Sequence, residues 1–156
     1  MGKQLKILLV SSEIYPFAKT GGLADITGLM SKVLREKGHD IRMIMPKYKS
    51  IDEKKFNIKP HPANILIPIG TSWKKAALFE CLLHEKEPGY FIGNDSYYDR
   101  DGLYGNSTGD FHDNAERFIF FSRAVLEACK TLAFQPDIIH CHDWQTGLIP
   151  VYLKSL

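Results

Sequence analysis

The sequence has little net charge and lacks a long apolar run. Its 20 lysine and arginine residues against 18 aspartate and glutamate residues leave a formal net charge of +2. The two signs are interspersed, so no basic stripe favours binding to nucleic acid or to an acidic membrane surface. No run approaches the roughly 18 apolar residues of a membrane-spanning helix, and the N-terminus lacks the cleavage site of a signal peptide. The default expectation is therefore a cytoplasmic location, without a membrane partner.

Cysteine is also scarce. Cys81, Cys129 and Cys141 are odd in number, widely spaced and without a C-x-x-C pair, which favours reduced thiols in the core over disulfides or zinc. What remains is ordinary: 156 residues, 44% hydrophobic and 24% charged. These values exclude a disordered tail, a collagen-like repeat and a coiled-coil rod, and they are typical of one globular domain.

The first 46 residues predict a βαβ unit. Residues 6–10 are a short, β-branched apolar run, typical of a strand buried on both faces. Apolar residues from Leu23 to Leu34 recur every three or four positions and indicate a helix that ends at Lys37-Gly38. Residues 40–45 then alternate between polar and apolar, as in a second strand. Such a unit implies a parallel sheet, so the expected fold class is α/β.

The middle of the chain is less regular. Residues 65–69, 76–83 and 90–92 predict short strands whose order in the sheet stays open. Residues 93–112 form a long polar loop, which is either a binding loop or a solvated connector. Asp113 and Glu116 resemble a capping pair at the start of a long amphipathic helix that ends before Pro136.

The last segment predicts a further parallel strand, residues 137–141, followed by a helix from residue 146. That helix reaches Leu156 without a capping glycine, a following strand or a polar tail. We therefore expect a truncated domain with an exposed apolar edge, through which the chain could self-associate.

Two polar clusters follow predicted strand ends, where ligands bind in open parallel α/β sheets. The first is Lys19-Thr20-Gly21-Gly22, just before the first helix. Backbone amides without side chains, the positive end of the helix dipole and the lysine charge together suit a phosphate. A flexible turn with a solvated lysine is the alternative. Neither G-x-G-x-x-G nor G-x-x-x-x-G-K-[ST] occurs, which disfavours a dehydrogenase half and a P-loop nucleotide hydrolase.

The second cluster is His142-Asp143-Trp144. Asp143 either accepts hydrogen bonds from sugar hydroxyls beside the indole of Trp144 or caps the final helix. His140, His142 and Asp143 could suggest a metal site, but no further ligand has suitable spacing, so we expect none. Glu13, after the first strand, is either a hydrogen-bond acceptor for a polyol or a loop charge, and the loop charge is favoured.

Three stretches carry a family resemblance. Residues 6–13 (KILLVSSE), 16–25 (PFAKTGGLAD) and 140–147 (HCHDWQTG) closely resemble the N-terminal domain of bacterial glycogen synthase and plant starch synthase. The K-T-G-G-L-A-D string is highly specific to these enzymes. The likeness extends along the whole chain, since residues 98–100 and 111–118 fit the family's long loop and following helix.

The resemblance implies a GT-B glycosyltransferase, in which two Rossmann-like domains face a cleft. Such an enzyme moves glucose from ADP-glucose to the non-reducing end of an α-1,4-glucan with retention, and it requires neither metal nor cofactor. Lys19, Gly21 and Gly22 would then lie against the diphosphate, and Asp25, Asp143 and Trp144 would line the cleft. No catalytic residue is assigned within the chain.

The sequence departs from the family pattern in two ways. Gln145 stands where the family often has a second histidine, so no role of that imidazole carries over, although the glutamine could bond a sugar. The family's C-terminal nucleotide-binding domain is absent from these 156 residues. We therefore expect residues 1–156 to be an incomplete acceptor-side domain that is inactive in isolation.

A second hypothesis is a complete, non-catalytic glucan-binding module. It would stack sugars on aromatic side chains, namely Tyr97, Tyr98, Tyr104 and Trp144.

Overall fold

A single six-stranded sheet organises the protein. The computed structural model describes residues 3–83 and 86–156. The sheet comprises β1 (Lys6–Val10), β2 (Asp40–Pro46), β3 (Lys59–Ile69), β4 (Ser72–Leu83), β5 (Glu87–Gly93) and β8 (Ile138–Cys141), and a small hairpin pairs β6 (Gly105–Asn106) with β7 (Gly109–Asp110). The helices are α1 (Gly22–Glu36), α2 (Asp95–Tyr98), α3 (Asn114–Thr131) and α4 (Ile149–Ser155), and a 3₁₀ turn covers Trp144–Thr146.

The predicted parallel sheet is confirmed for four strands. The sheet order is β3-β4-β5-β2-β1-β8, and β5, β2, β1 and β8 pair in parallel. The sheet is mixed, however, because β4 pairs antiparallel with both β3 and β5. The reason is local: only Gly70 and Thr71 separate β3 from β4, and Gly70 has a φ of +58°. A connection this short joins antiparallel neighbours, since a parallel pair needs a long crossover.

The two crossovers diverge at the boundary between β1 and β8. The chain moves from β1 to β2 in one direction across the sheet and from β5 to β8 in the other. Right-handed crossovers then put α1 and α3 on opposite faces. Since α4 contacts α3, the loops after β1 and β8 leave the same sheet edge toward opposite faces. This is the topological switch point at which open α/β sheets bind ligands.

Several local predictions are confirmed. The first strand has the predicted bounds, and Ile7 to Val10 are all buried. The first helix extends from Gly22 to Glu36 and lies close to the preceding loop, since a Cβ on Gly28 would come within 2.9 Å of the Tyr15 carbonyl oxygen. The three cysteines are free thiols, and Cys81 is buried.

Other local predictions are wrong. The Asp113 side chain makes no capping bond to α3; it pairs with Arg100 at 2.6 Å, while Glu116 accepts a hydrogen bond from the Tyr97 hydroxyl. These partners lie in the loop 93–112, and sequence spacing alone could not reveal them. The loop is also not wholly irregular, because it contains α2 and the β6–β7 hairpin. The final helix is divided into a 3₁₀ turn and α4.

The expected apolar edge is present at β8. This strand pairs on one side with β1, and it lies at the end of the sheet. Ile138 is 43% exposed and Leu153 on α4 is 58% exposed. Self-association through this edge stays a prediction. Within the described ranges, none of the helices has the length and apolar character needed to cross a membrane.

Candidate functional site

A buried carboxylate organises the loop that follows β1. Glu13 is 3% exposed, so its interpretation as a solvated loop charge is wrong. One carboxylate oxygen accepts from the Thr20 hydroxyl at 2.6 Å and the Tyr104 hydroxyl at 2.7 Å. The other accepts from the amides of Thr20 at 2.5 Å and Gly21 at 3.3 Å. Each oxygen therefore has two donors, and the K-T-G-G loop (residues 19–22) is bound to the end of β1.

These donors also decide the charge of Glu13. Burial by itself raises the pKa of a carboxyl group, because it penalises the charged form. In Glu13 the bonds from Thr20, Tyr104 and Gly21 outweigh burial, and the pKa is lowered from its ordinary value of 4.5. The group is thus a carboxylate at neutral pH.

The exposed side of the K-T-G-G loop carries a different pair. The Lys19 ammonium donates to both oxygens of Asp25, at 2.6 and 2.7 Å, and both side chains are about half exposed. Gly21 precedes α1 without a side-chain cap, and a Cβ on Gly21 or Gly22 would meet nothing within 4 Å. The backbone at the start of α1 is thus exposed next to Lys19. The Gly21 amide itself is directed at Glu13, so the open donors begin at Gly22.

The loop after β8 contains a strained residue. Asp143 has φ +64° and ψ 179°, a region that only glycine occupies readily, at a cost of about 1 to 3 kcal/mol. Its carboxylate accepts from the Trp144 amide at 2.7 Å and caps the 3₁₀ turn. The structure thus realises the capping role in modified form, since the cap is on the short turn and not on α4. Backbone strain of this kind clusters at functional sites.

Trp144 presents an open aromatic surface beside Asp143. The side chain is 57% exposed, and its ring meets Phe118 of α3 edge-on, with 5.2 Å between centroids. Phe118 in turn lies 5.9 Å from the Tyr104 ring. Aromatic contacts therefore link the loop after β8 to the Glu13 cluster after β1. We call Lys19, Asp25, Asp143 and Trp144 the rim.

The loop 93–112 contributes one of its tyrosines to this region. Tyr104 bonds both Glu13 and the Ser12 hydroxyl, each at 2.7 Å. Tyr97 and Tyr98 are 3% and 1% exposed, so they offer no sugar-stacking surface, and that part of the glucan-module hypothesis is wrong. Their rings pack against each other and against Phe120.

Arg117 fixes this loop from below, and sequence reasoning missed it. The side chain is fully buried and donates to the carbonyls of Tyr97 at 2.8 Å and Leu103 at 3.0 Å, and to the Asn114 amide oxygen at 2.6 Å. Burial lowers the pKa of Arg117, yet arginine remains charged at neutral pH. A signal was available, because Arg117 precedes Phe121 by four residues and so belongs to the buried face of the helix.

Among the remaining candidates, His140 and His142 are partly buried and Gln145 is buried. Burial, followed by the charge of His140, lowers the pKa of His142, whose ring centroid lies 4.4 Å from that of His140. Gln145 is 5% exposed and packs under α3, where its carbonyl oxygen accepts from the Ser122 hydroxyl. Because Gln145 is buried, its side chain does not offer an accessible hydrogen-bonding group to a sugar. Among residues 3–83 and 86–156, no three His, Cys, Asp or Glu side chains are placed to share a metal ion.

Comparison with known proteins shows the family of the chain. Residues 6–156 match the family model described as the starch synthase catalytic domain. The chain belongs to the starch synthase catalytic-domain family. It is 46% identical over 151 residues to a glycogen synthase of Geotalea daltonii, and the alignment covers 97% of this chain and 31% of that protein. A glycogen synthase of Elusimicrobium minutum is also 46% identical, with the same two shares covered.

A solved structure of the family shares the fold. It is the catalytic domain of starch synthase IV from Arabidopsis thaliana bound to ADP and acarbose. The TM-score is 0.85 at 31% identity, and the match covers 97% of this chain and 30% of that one. The α/β fold class and the family resemblance are thus confirmed. The chain spans about a third of the length of the relatives that it matches.

Proposed function

We propose that these 156 residues are the N-terminal, acceptor-side part of a retaining glycosyltransferase that transfers glucose from ADP-glucose to the non-reducing end of an α-1,4-glucan in glycogen biosynthesis. In this proposal the rim binds substrate and the 156 residues alone do not elongate glucan. The proposal requires no metal ion and no nucleic acid.

One observation supports the proposal: the K-T-G-G loop follows β1, the Asp143-Trp144 pair follows β8, and these two strands are parallel neighbours in the sheet. The loop offers Lys19 and the exposed, uncapped start of α1, and the positive end of a helix suits a diphosphate. Trp144 offers an exposed ring, which suits the apolar face of a sugar. A nucleotide sugar has both chemical features. The relatives named glycogen synthase and the neighbour bound to ADP and acarbose support the same substrate class.

The geometry suggests how the rim would act. Lys19 pairs with Asp25, so the lysine exchanges one anionic partner for another when it binds a diphosphate. The released Asp25 carboxylate can then accept from a substrate hydroxyl. In retaining transfer of this type, charge develops on the sugar and on the leaving phosphate, so a cation held at the diphosphate stabilises the transition state.

An NMR titration of the labelled chain tests this proposal. We expect ADP-glucose to shift the Gly22 and Leu23 amides, and a maltooligosaccharide to shift the Trp144 indole. Lys19→Met should weaken ADP-glucose binding about tenfold, which corresponds to the 1.4 kcal/mol of one charge-assisted contact. The stability should change by less than about 0.5 kcal/mol, because the Lys19–Asp25 pair is half exposed.

Lys37→Met is the matched control. Lys37 is exposed at the opposite end of α1, about 20 Å away, and the substitution removes the same charge. If Lys37→Met weakens ADP-glucose binding as much as Lys19→Met does, the assigned site is contradicted. A response to maltooligosaccharide alone would favour the glucan-binding module.

A further inference from the structure

The contact between Tyr104 and Glu13 joins two loops that are remote in sequence. Tyr104 belongs to the loop 93–112, whereas Glu13 follows β1 and binds the K-T-G-G loop. A carboxylate has no proton to donate, so the phenol donates to Glu13 and the Ser12 hydroxyl donates to the phenol. Tyr104 stays protonated at neutral pH, because burial raises the pKa of the phenol. The direction of each bond in the chain Ser12, Tyr104, Glu13 is therefore fixed.

The Tyr104 side of the contact is rigid. Arg117 binds the carbonyl of the preceding residue, Leu103, and the Asn114 amide donates to the carbonyl of Tyr104 itself at 2.8 Å. Gly102 has a φ of +93°, and a Cβ there would lie 2.0 Å from the Gly105 carbonyl oxygen. The backbone on both sides of Tyr104 is thus held by α3 and by a turn that needs glycine.

The Glu13 side is equally fixed. The Thr27 hydroxyl of α1 donates to the Glu13 carbonyl at 2.9 Å, and the Glu13 amide donates to the Ser11 hydroxyl at 3.2 Å. Thr20 and Gly21 of the K-T-G-G loop bond directly to this carboxylate. Removing the phenol takes away one of four donors, and the carboxylate then moves or recruits water.

We propose that Tyr104 and Glu13 are positioning residues, which hold the K-T-G-G loop in the orientation that directs Lys19 and the α1 amides at a diphosphate. This proposal rests on the proposed function. The proposal assigns Tyr104 a role in binding the diphosphate of the nucleotide sugar. The sequence hypothesis for the same residue was that its ring stacks against a sugar.

The test compares Tyr104→Phe with Tyr97→Phe. Each substitution removes one phenol that bonds a carboxylate, Glu13 in one case and Glu116 in the other. Only the first carboxylate touches the K-T-G-G loop. We expect hydrogen exchange at the Thr20 amide to accelerate about tenfold in Tyr104→Phe and to stay within twofold in Tyr97→Phe, after matching the two variants for global stability by urea unfolding. Unchanged exchange in Tyr104→Phe, or equal acceleration in both variants, would overturn the proposal.

A titration with inorganic pyrophosphate adds a readout that a purely structural role would not move. Tyr104→Phe should weaken pyrophosphate binding about fivefold relative to Tyr97→Phe. Equal affinities in the two variants would overturn the positioning role. If even the unsubstituted chain does not bind pyrophosphate, the proposed function fails, and the Thr20 exchange rates alone decide whether Tyr104 positions the loop.

Discussion

The rim and the layer beneath it use charge in different ways. In the layer beneath the rim, Glu13 and Arg117 are buried and Tyr104 is partly buried. Each carboxylate oxygen of Glu13 accepts two hydrogen bonds there. The rim pairs Lys19 with Asp25 in solvent. Buried polar networks fix geometry because an unsatisfied group is costly there, whereas exposed ion pairs contribute little and exchange partners easily. Shape thus comes from the buried layer, and the exchangeable charges are on the rim.

The largest expected effect is that of Arg117→Lys. The ammonium keeps the buried charge but cannot reach the acceptors on Tyr97, Leu103 and Asn114 together, so we expect unfolding in urea to require about 3 kcal/mol less free energy. Arg117→Met should cost less, because it also removes the charge that burial penalises. A smaller loss for the lysine variant than for the methionine variant would contradict this account.

Arg100→Lys provides the control for that substitution. Arg100 belongs to the loop 93–112, to which the Arg117 side chain binds. Arg100 binds Asp113 through two nitrogens, at 2.6 and 2.7 Å, but the pair is partly exposed. We expect a loss of about 1 kcal/mol or less. If Arg117→Lys and Arg100→Lys lose the same free energy of unfolding, burial does not decide how much each arginine contributes to stability.

Glu13→Gln should have an intermediate effect that depends on pH. At pH 7 we expect a loss of about 2 kcal/mol, because the amide has a single acceptor oxygen for donors that now meet two. The folded pKa of Glu13 lies below its ordinary value of 4.5, so the carboxylate contributes stability above that pH and loses the contribution as pH falls through the folded value. Urea unfolding of both proteins between pH 7 and 3 should show their difference shrinking below pH 4.5. A difference that is constant over this range would contradict the ionised network.

Asp143→Gly should have the smallest effect, and of opposite sign. Glycine adopts φ +64° and ψ 179° without strain, and the loss of the cap offsets only part of that gain. We expect a stabilisation of about 1 kcal/mol by urea unfolding, together with weaker ligand binding. In Asn57→Gly the change should be close to zero, because Asn57 at φ +50° is a residue tolerated in that region. A destabilised Asp143→Gly would show that the strain at Asp143 costs less than its cap contributes.

The sequence predicted much of the fold, and the reasons are local. The bounds of β1 followed from its apolar run, and α1 followed from helical spacing closed by Gly38. The capping pair Asp113 and Glu116 failed because each carboxylate found a partner in another segment of the chain. Spacing describes neighbours along one element, and it carries no information about which loop folds over that element.

For the candidate site, the sequence by itself predicted which residues follow the strand ends. Lys19, the two glycines and Asp143-Trp144 are short motifs at predicted strand ends, and parallel strands bring such ends to one edge. Only the tertiary structure decided the roles of Glu13, Tyr104 and Arg117, because the burial of a charge depends on the segments that surround it. Glu13 and Tyr104 are separated by 91 positions and bond at 2.7 Å. A contact of that kind follows from the packing of the loops over the sheet, and from no pattern within either loop.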